Sequence, residues 1–196
     1  MVVVINGMPT VGKSQFVEEC LGSTDYFSIA EHSTVDFVKY IAKECGWDGT
    51  KTPTNRKFLS DLKDLLTQWG DVPFQKSIEY IRWHDNITKE MAERMLPYRR
   101  LPTHALTFIH CREPKEIQKF VDYYGKDECK TLLIRRAAVE TNNQSNHADA
   151  EVFNYQYDYT IFNDGTLEEL RDKARKFLSQ LWEEENGRSN SNNSSL

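Results

Sequence analysis

The chain has 196 residues, a formal net charge of −5 and 39% hydrophobic residues. That length suits one domain with a sizeable core. The acidic balance gives no electrostatic footprint for a nucleic-acid polymer, and no apolar run reaches membrane-span length.

Val2-Val3-Val4-Ile5 is a continuous apolar, β-branched run, as expected of a strand buried on both faces. The run has no basic preface and is too short for a signal peptide, so the expected location is cytoplasmic. It leads into Gly7-Met8-Pro9-Thr10-Val11-Gly12-Lys13-Ser14, which fits Gly-x-x-x-x-Gly-Lys-Ser/Thr without a substitution. Phe16, Val17 and Cys20 follow at helical spacing, and Gly22 offers a stop. Strand, glycine loop and helix together predict a nucleotide-binding loop. Its backbone N–H groups and the helix N-terminus face phosphate oxygens, Lys13 reaches the β- and γ-phosphates, and the Ser14 hydroxyl ligates magnesium.

Tyr26 to Ala30 reads as a second strand, followed by a helix capped at Ser33 or Thr34 with Val35, Val38, Ile41 and Ala42 inward. Thr52-Pro53 opens a further helix with Phe58, Leu59, Leu62, Leu65, Leu66 and Trp69 as its apolar face. After a break at Gly70 to Pro73, a long helix runs from about Phe74 to Met95 with Ile78, Ile81, Met91 and Met95 facing in, and Trp47 and Trp83 read as packing residues. A basic connector with Arg99 and Arg100 precedes the third strand, Ala105 to Ile109.

Pro114 starts a short helix closed by Gly125, and Thr131 to Ile134 is the fourth strand. Arg135 to Ala150 is polar, without apolar period, and reads as a mobile loop. Tyr159 to Phe162 is the fifth strand, and Thr166-Leu167-Glu168-Glu169 is a capping box for a helix burying Leu167, Leu170, Ala174, Phe177, Leu178 and Leu181. The Asn/Ser-rich tail, residues 186–196, reads as disordered. Strands alternating with helices predict an α/β fold with a parallel sheet covered on both faces. Cys20, Cys45, Cys111 and Cys129 are widely spaced and read as small buried hydrophobes.

This order of parts resembles the P-loop nucleoside monophosphate kinase-like family, closest in pattern to phage-type deoxynucleoside monophosphate kinases and related bacterial P-loop proteins. The resemblance runs from Val2 to about Leu181. It implies a P-loop NTPase fold over residues 1–185, a five-stranded parallel sheet, a helical acceptor-binding excursion over 46–102 and a lid over 135–150. Ala30 to Lys39 resembles the family's stretch after the second strand. Arg56-Lys57-Phe58-Leu59 resembles an Arg-x-Leu-Leu element, which puts Arg56 on the acceptor phosphate. His110 to Glu116 resembles an Asp-x-Arg-x-x-x-Glu element, which places Arg112 and Glu116 in the cleft. Arg135 and Arg136 correspond to lid arginines on the donor phosphates, and Asn163-Asp164-Gly165 to the loop beside the adenine. His110 stands where the family has an aspartate that orients magnesium through water.

Each of these residues also has a plain structural role open to it. Arg56 suits a solvated helix face, and Arg112 a pair with Glu116 one turn away. Glu31, His32 and Asp36 follow the second strand, either near magnesium and the acceptor or as helix caps; Asp36 is the preferred acid. Asp122 to Gly125 and Asn146 to Asp149 imitate GTPase motifs but lie in the wrong context. The expectation is therefore an ATP- and Mg²⁺-dependent phosphotransferase acting on a (deoxy)nucleoside monophosphate. A kinase of another small phosphorylated metabolite and a non-catalytic nucleotide-binding module are the alternatives.

Overall fold

The structure is a computed structural model that describes residues 1–95, 102–140 and 151–193, with the side chains of Met95 and of residues 188–193 outside the description. Five strands form one parallel sheet in the order β2-β3-β1-β4-β5. They are β1 (Val2–Asn6), β2 (Phe27–Ser33), β3 (His104–His110), β4 (Cys129–Arg135) and β5 (Tyr159–Phe162). The helices are α1 (Lys13–Leu21), α2 (Asp36–Glu44), α3 (Pro53–Gly70), α4 (Val72–Met95), α5 (Pro114–Glu128), the short α6 (Ala137–Glu140) and α7 (Leu167–Asn193), with a 3-10 turn at Glu151–Asn154. The expected five-stranded parallel sheet, with helices on both faces, is the architecture observed.

Strand alternation sorts the core into two layers. Val3 and Ile5 of central β1 face a cluster with Phe16, Val17 and Cys20 of α1 and Leu170, Ala174, Phe177, Leu178 and Leu181 of α7. Val2 and Val4 face the opposite cluster, made with Phe74, Ile78 and Ile81 of α4 and Ile117, Phe120 and Val121 of α5. Phe16 sits edge-on to Phe108 and Phe177, with centroids 6.4 and 5.6 Å away. It is wholly buried, so truncating it to alanine is expected to cost about 3–5 kcal/mol. The α1 helix is thereby fixed to the sheet directly behind the glycine loop.

Three helix faces differ from the pattern predicted by periodicity. The α3 helix starts as expected, with Thr52 capping Asn55 N at 3.2 Å and Pro53 in the first turn, but none of its residues is buried. It packs as an outer layer against α2 and α4; Leu59, Leu62 and Leu66 are half-covered, while Leu65 and Trp69 are 62% and 85% exposed. A second-layer helix meets neighbours on one side only, so its second apolar stripe stays in water.

In α4 the inward stripe continues from Ile81 through His84, Thr88 and Ala92, leaving Met91 and Trp83 more than half exposed. The buried His84 is satisfied by Thr107 Oγ1 at 2.8 Å and Ser28 Oγ at 3.2 Å, which makes this Ser-His-Thr set a structural network. In α7, Leu167 is 51% exposed because it lies in the first turn, ahead of the sheet contact. That helix continues through Asn186 to Asn193, where composition predicts a disordered tail.

The α5 helix breaks at Gly125, where φ is 78°. Cys20, Cys111 and Cys129 are buried, as expected of small hydrophobes, whereas Cys45 is exposed. The basic connector with Arg99 and Arg100, and residues 141–150 of the expected lid, lie outside the described residues. Among the described residues, no helix is long and apolar enough to cross a membrane.

Candidate phosphate-binding cleft

The glycine loop leaves the carboxyl end of the central strand, the edge where open α/β sheets place their ligands. Two positions admit only glycine. Gly7 has φ +146°, and a Cβ there would lie 2.4 Å from the Ile134 carbonyl oxygen. Gly12 has φ +95°, and its Cβ would lie 2.4 Å from Asn163 Nδ2. Thr10 also takes a positive φ, 66°, at the exposed rim beside Pro9. Met8 and Val11 are buried, so they anchor the loop through their side chains and offer a ligand only their backbone.

Lys13 Nζ donates to the carbonyls of Gly7 at 2.6 Å and Met8 at 2.8 Å, spanning the inside of the loop. No side chain caps α1, and its first turn carries no acid. Its initial N–H groups and dipole therefore favour an anion. Ser14 is exposed in that first turn. A magnesium–nucleotide fits this set: Mg²⁺ keeps several waters and binds substrate phosphates, and the Ser14 hydroxyl would add one protein oxygen to that shell. Among the described residues, no group of three or more His, Cys, Asp or Glu is arranged to hold a metal by itself.

Asn6 is a residue that motif reading passes over. It is fully buried at the end of β1. Its Oδ1 accepts from Gly7 N at 2.8 Å, and its Nδ2 donates to the Arg112 carbonyl at 3.0 Å and to the Tyr157 hydroxyl at 2.7 Å. One amide thus ties the start of the glycine loop to the chain beyond β3 and to the approach to β5. Its sequence signal is weak: an asparagine after an apolar run reads as turn chemistry.

On the β2 side of the loop, four titratable residues converge. Glu31 Oε1 stands 2.5 Å from His110 Nε2. Asp36 Oδ2 accepts from Ser33 N at 2.8 Å and lies 3.7 Å from His32 Nδ1, while Oδ1 meets Lys39 at 3.1 Å. Asp36 thus braces the turn between β2 and α2, whose N-cap residue is Val35 with no side-chain cap, rather than Ser33 or Thr34 as expected. His32 stacks on Tyr80 of α4, with centroids 4.5 Å apart. Burial lowers the pKa of His110, opposed by Glu31 and reinforced by Lys13; burial likewise lowers that of His32.

The arginines are more scattered than the resemblance implies. Arg56 is exposed on α3 and donates through Nε to the Lys51 carbonyl at 3.2 Å. Two helical turns further along the same stripe, Lys63 pairs with Glu113, the neighbour of Arg112. The α3 helix thus runs beside the carboxyl end of β3. Arg112 is exposed there, whereas Glu116 is buried and pairs with Lys119 at 2.9 Å. Lys119 also holds Asp71 at 2.9 Å, so Glu116 belongs to a brace between α5 and the α3–α4 junction.

Arg135 is held by Glu140 through both Nε and Nη2, at 2.9 and 2.6 Å, and lies over the rings of Phe153 and Phe162. The Glu140 hydrogen bonds raise its pKa, and Arg135 in turn lowers that of Glu140. Arg136 is exposed beside it. In the loop after β5, Asn163 Nδ2 donates to the Val11 carbonyl at 2.8 Å, and Asp164 Oδ1 accepts from Ala137 N at 2.6 Å. Gly165 lies against the Glu169 side chain. Asn163 is thus built against the phosphate loop, while Asp164 fastens the start of α6.

No protein-family model matches the chain, and no curated protein matches it in sequence. Among solved structures, shikimate kinase from Aquifex aeolicus is 10% identical, over 93% of this chain and 97% of that one, at a TM-score of 0.42. A sugar kinase from a Janibacter species is 14% identical, over 91% and 94%, at 0.38. Dephospho-CoA kinase from Campylobacter jejuni is 14% identical, over 92% and 96%, at 0.37. Likenesses this remote assign neither a substrate nor a residue role.

Proposed function

We propose that the chain is an ATP-dependent phosphotransferase that moves the γ-phosphoryl group to a small acceptor, with a nucleoside monophosphate as the first class to test. The observation that carries this reading is the glycine loop itself. It combines two left-handed glycines, Lys13 spanning its interior, and an uncapped helix start. The nucleotide acceptor comes from the sequence resemblance.

Phosphoryl transfer asks the protein chiefly for positioning and charge stabilisation. The loop N–H groups and Lys13 hold the donor phosphates, and Ser14 offers its hydroxyl to Mg²⁺. That ion, when bound, neutralises developing charge on the phosphates. Arg136, exposed beside α6, and Arg135, at the end of β4, are the arginines that serve the donor phosphates. Arg56, on α3 within the excursion 46–102, and Arg112, just past β3, serve the acceptor side.

Purified protein with ATP, Mg²⁺ and a panel of nucleoside monophosphates is expected to release ADP in an acceptor-dependent manner. ATP binding without turnover on any acceptor would instead support the nucleotide-binding module, the reading favoured by His110 at the end of β3 in place of an acid.

A further inference from the structure

The glycine loop accounts for the donor. The residues it leaves unused lie across the cleft, at the carboxyl ends of β2 and β3. Strand register puts His110 beside Ile5, two residues before the first glycine of the loop, and beside Ser33 on the other side. Glu31 reaches from β2 to the neighbouring β3, where its Oε1 stands 2.5 Å from the buried His110 Nε2. The Glu31 side chain is 37% exposed, whereas the His110 side chain beside it is 15% exposed. The charged and titratable groups facing the pair are Lys13 from the loop, His32, Asp36 and Lys39 from β2 and α2, and Tyr80 from α4.

Two arguments select the acceptor. An acceptor phosphate is already anionic and needs no base, whereas a hydroxyl must give up a proton as it attacks. Two carboxylates, Glu31 and Asp36, border this side of the cleft, and Asp36 already takes up Lys39. With Lys13 given to the donor phosphates, a neutral hydroxyl meets less repulsion beside Glu31 than a phosphate dianion does.

Resting on the phosphotransferase reading, we infer that the group phosphorylated is an alcohol hydroxyl of the acceptor, that Glu31 is the base receiving its proton, and that His110 is the residue positioning Glu31. In the step, the acceptor O–H proton passes to a Glu31 carboxylate oxygen while the acceptor oxygen forms a bond to the γ-phosphorus. The bond from that phosphorus to the β–γ bridging oxygen breaks, and its electron pair leaves on ADP. The proton then returns from Glu31 to solvent. The products are a phosphomonoester, ADP and one proton. Any phosphate on the acceptor serves as a handle for Arg56 or Arg112 and not as the nucleophile.

The test uses the full chain with ATP and Mg²⁺ against nucleosides, sugar alcohols and nucleoside monophosphates, and reads the product by phosphorus NMR. The expected product is a phosphomonoester. Glu31→Gln is expected to lower kcat on that acceptor at least about 100-fold, the usual scale for loss of a general base. KM and ATP affinity should stay within about threefold, and the acid limb of the kcat–pH profile should disappear. Glu31→Asp should recover part of the rate. His110→Asn should lower kcat less and move the acid limb, which a purely structural role would leave in place. A phosphoanhydride product overturns the inference and leaves the phosphotransferase standing, as does a phosphomonoester whose rate Glu31→Gln leaves within threefold. ATP binding with no ADP from any acceptor overturns both.

Discussion

The side-chain amide of Asn163 occupies the space that a Cβ on Gly12 would need, 2.4 Å from that position, while donating to the Val11 carbonyl at 2.8 Å. The last strand's loop and the phosphate loop are therefore fitted to each other, and neither can change alone.

Gly12→Ala is expected to destabilise the fold by about 1–3 kcal/mol, from left-handed strain plus the clash. Adding Asn163→Ala removes the clash and not the strain. The double mutant should thus recover about 1 kcal/mol, a coupling readable in a urea-denaturation cycle. Strict additivity would show that the two residues do not interact.

Lys13 is the only loop side chain that brings a positive charge to the donor phosphates. A lost charge-assisted hydrogen bond is worth about 1.5–3 kcal/mol, so Lys13→Ala should weaken ATP binding by roughly 10- to 100-fold, with an unchanged melting transition apart from small effects. Calorimetric titration checks it; unaltered affinity would remove the phosphate-loop assignment.

Asn6→Leu strands the buried Gly7 N without its acceptor, while the Tyr157 hydroxyl keeps its bond to the Val152 carbonyl. A loss of about 1–3 kcal/mol is expected from leaving the Gly7 N–H unsatisfied. Because Gly7 N begins the loop, ATP affinity should fall too. A variant as stable as the parent would mean that the amide carries no structural load.

The histidines set an acid limit to stability. Burial lowers the pKa of His32, His84 and His110 below the ordinary 6.5. The unfolded chain therefore binds protons first as pH falls, and stability, complete above 6.5, declines as pH drops toward the folded values. Urea midpoints should fall between about pH 7.5 and about pH 5.5. A midpoint that rises on acidification contradicts the direction of all three shifts.

The two lid-side arginines should separate. Arg135 is engaged by Glu140 and two rings, so Arg135→Ala is expected to cost stability of about 1 kcal/mol. Arg136→Ala should leave stability within about 0.5 kcal/mol, as surface changes usually do, and reduce turnover the more strongly of the two. Equal effects of both on turnover, with no stability difference, would refute the distinction.

Where a residue's neighbours lie nearby in sequence, the chain was legible. The five strands appear as apolar runs, and the loop as a motif with its context intact. Thr52-Pro53 marked the start of α3 through local cap chemistry. The inward face of α4 was not legible beyond Ile81, because His84 and Thr88 are polar residues whose partners, Ser28 and Thr107, sit on two distant strands. The exposed Leu65 and Trp69 look like core until α3 is known to be a second layer. At the cleft, the Glu31–His110 contact depends on β2 lying beside β3, a fact of strand order that no local pattern carries. Glu116 matched a functional element in spacing, but Lys119 and the distant Asp71 give it a bracing role.

The central position of β1 has a kinetic consequence. Its register partners are Thr107 to His110 on one side and Cys129 to Leu133 on the other. During synthesis β1 stays unpaired on both edges until β3, which begins at His104, has emerged, a wait of about 5–20 s at ordinary elongation rates. For that interval the most apolar segment has no sheet to join. Only when β3 emerges can the glycine loop be held in shape from below, so the loop takes its shape well after its own residues are translated.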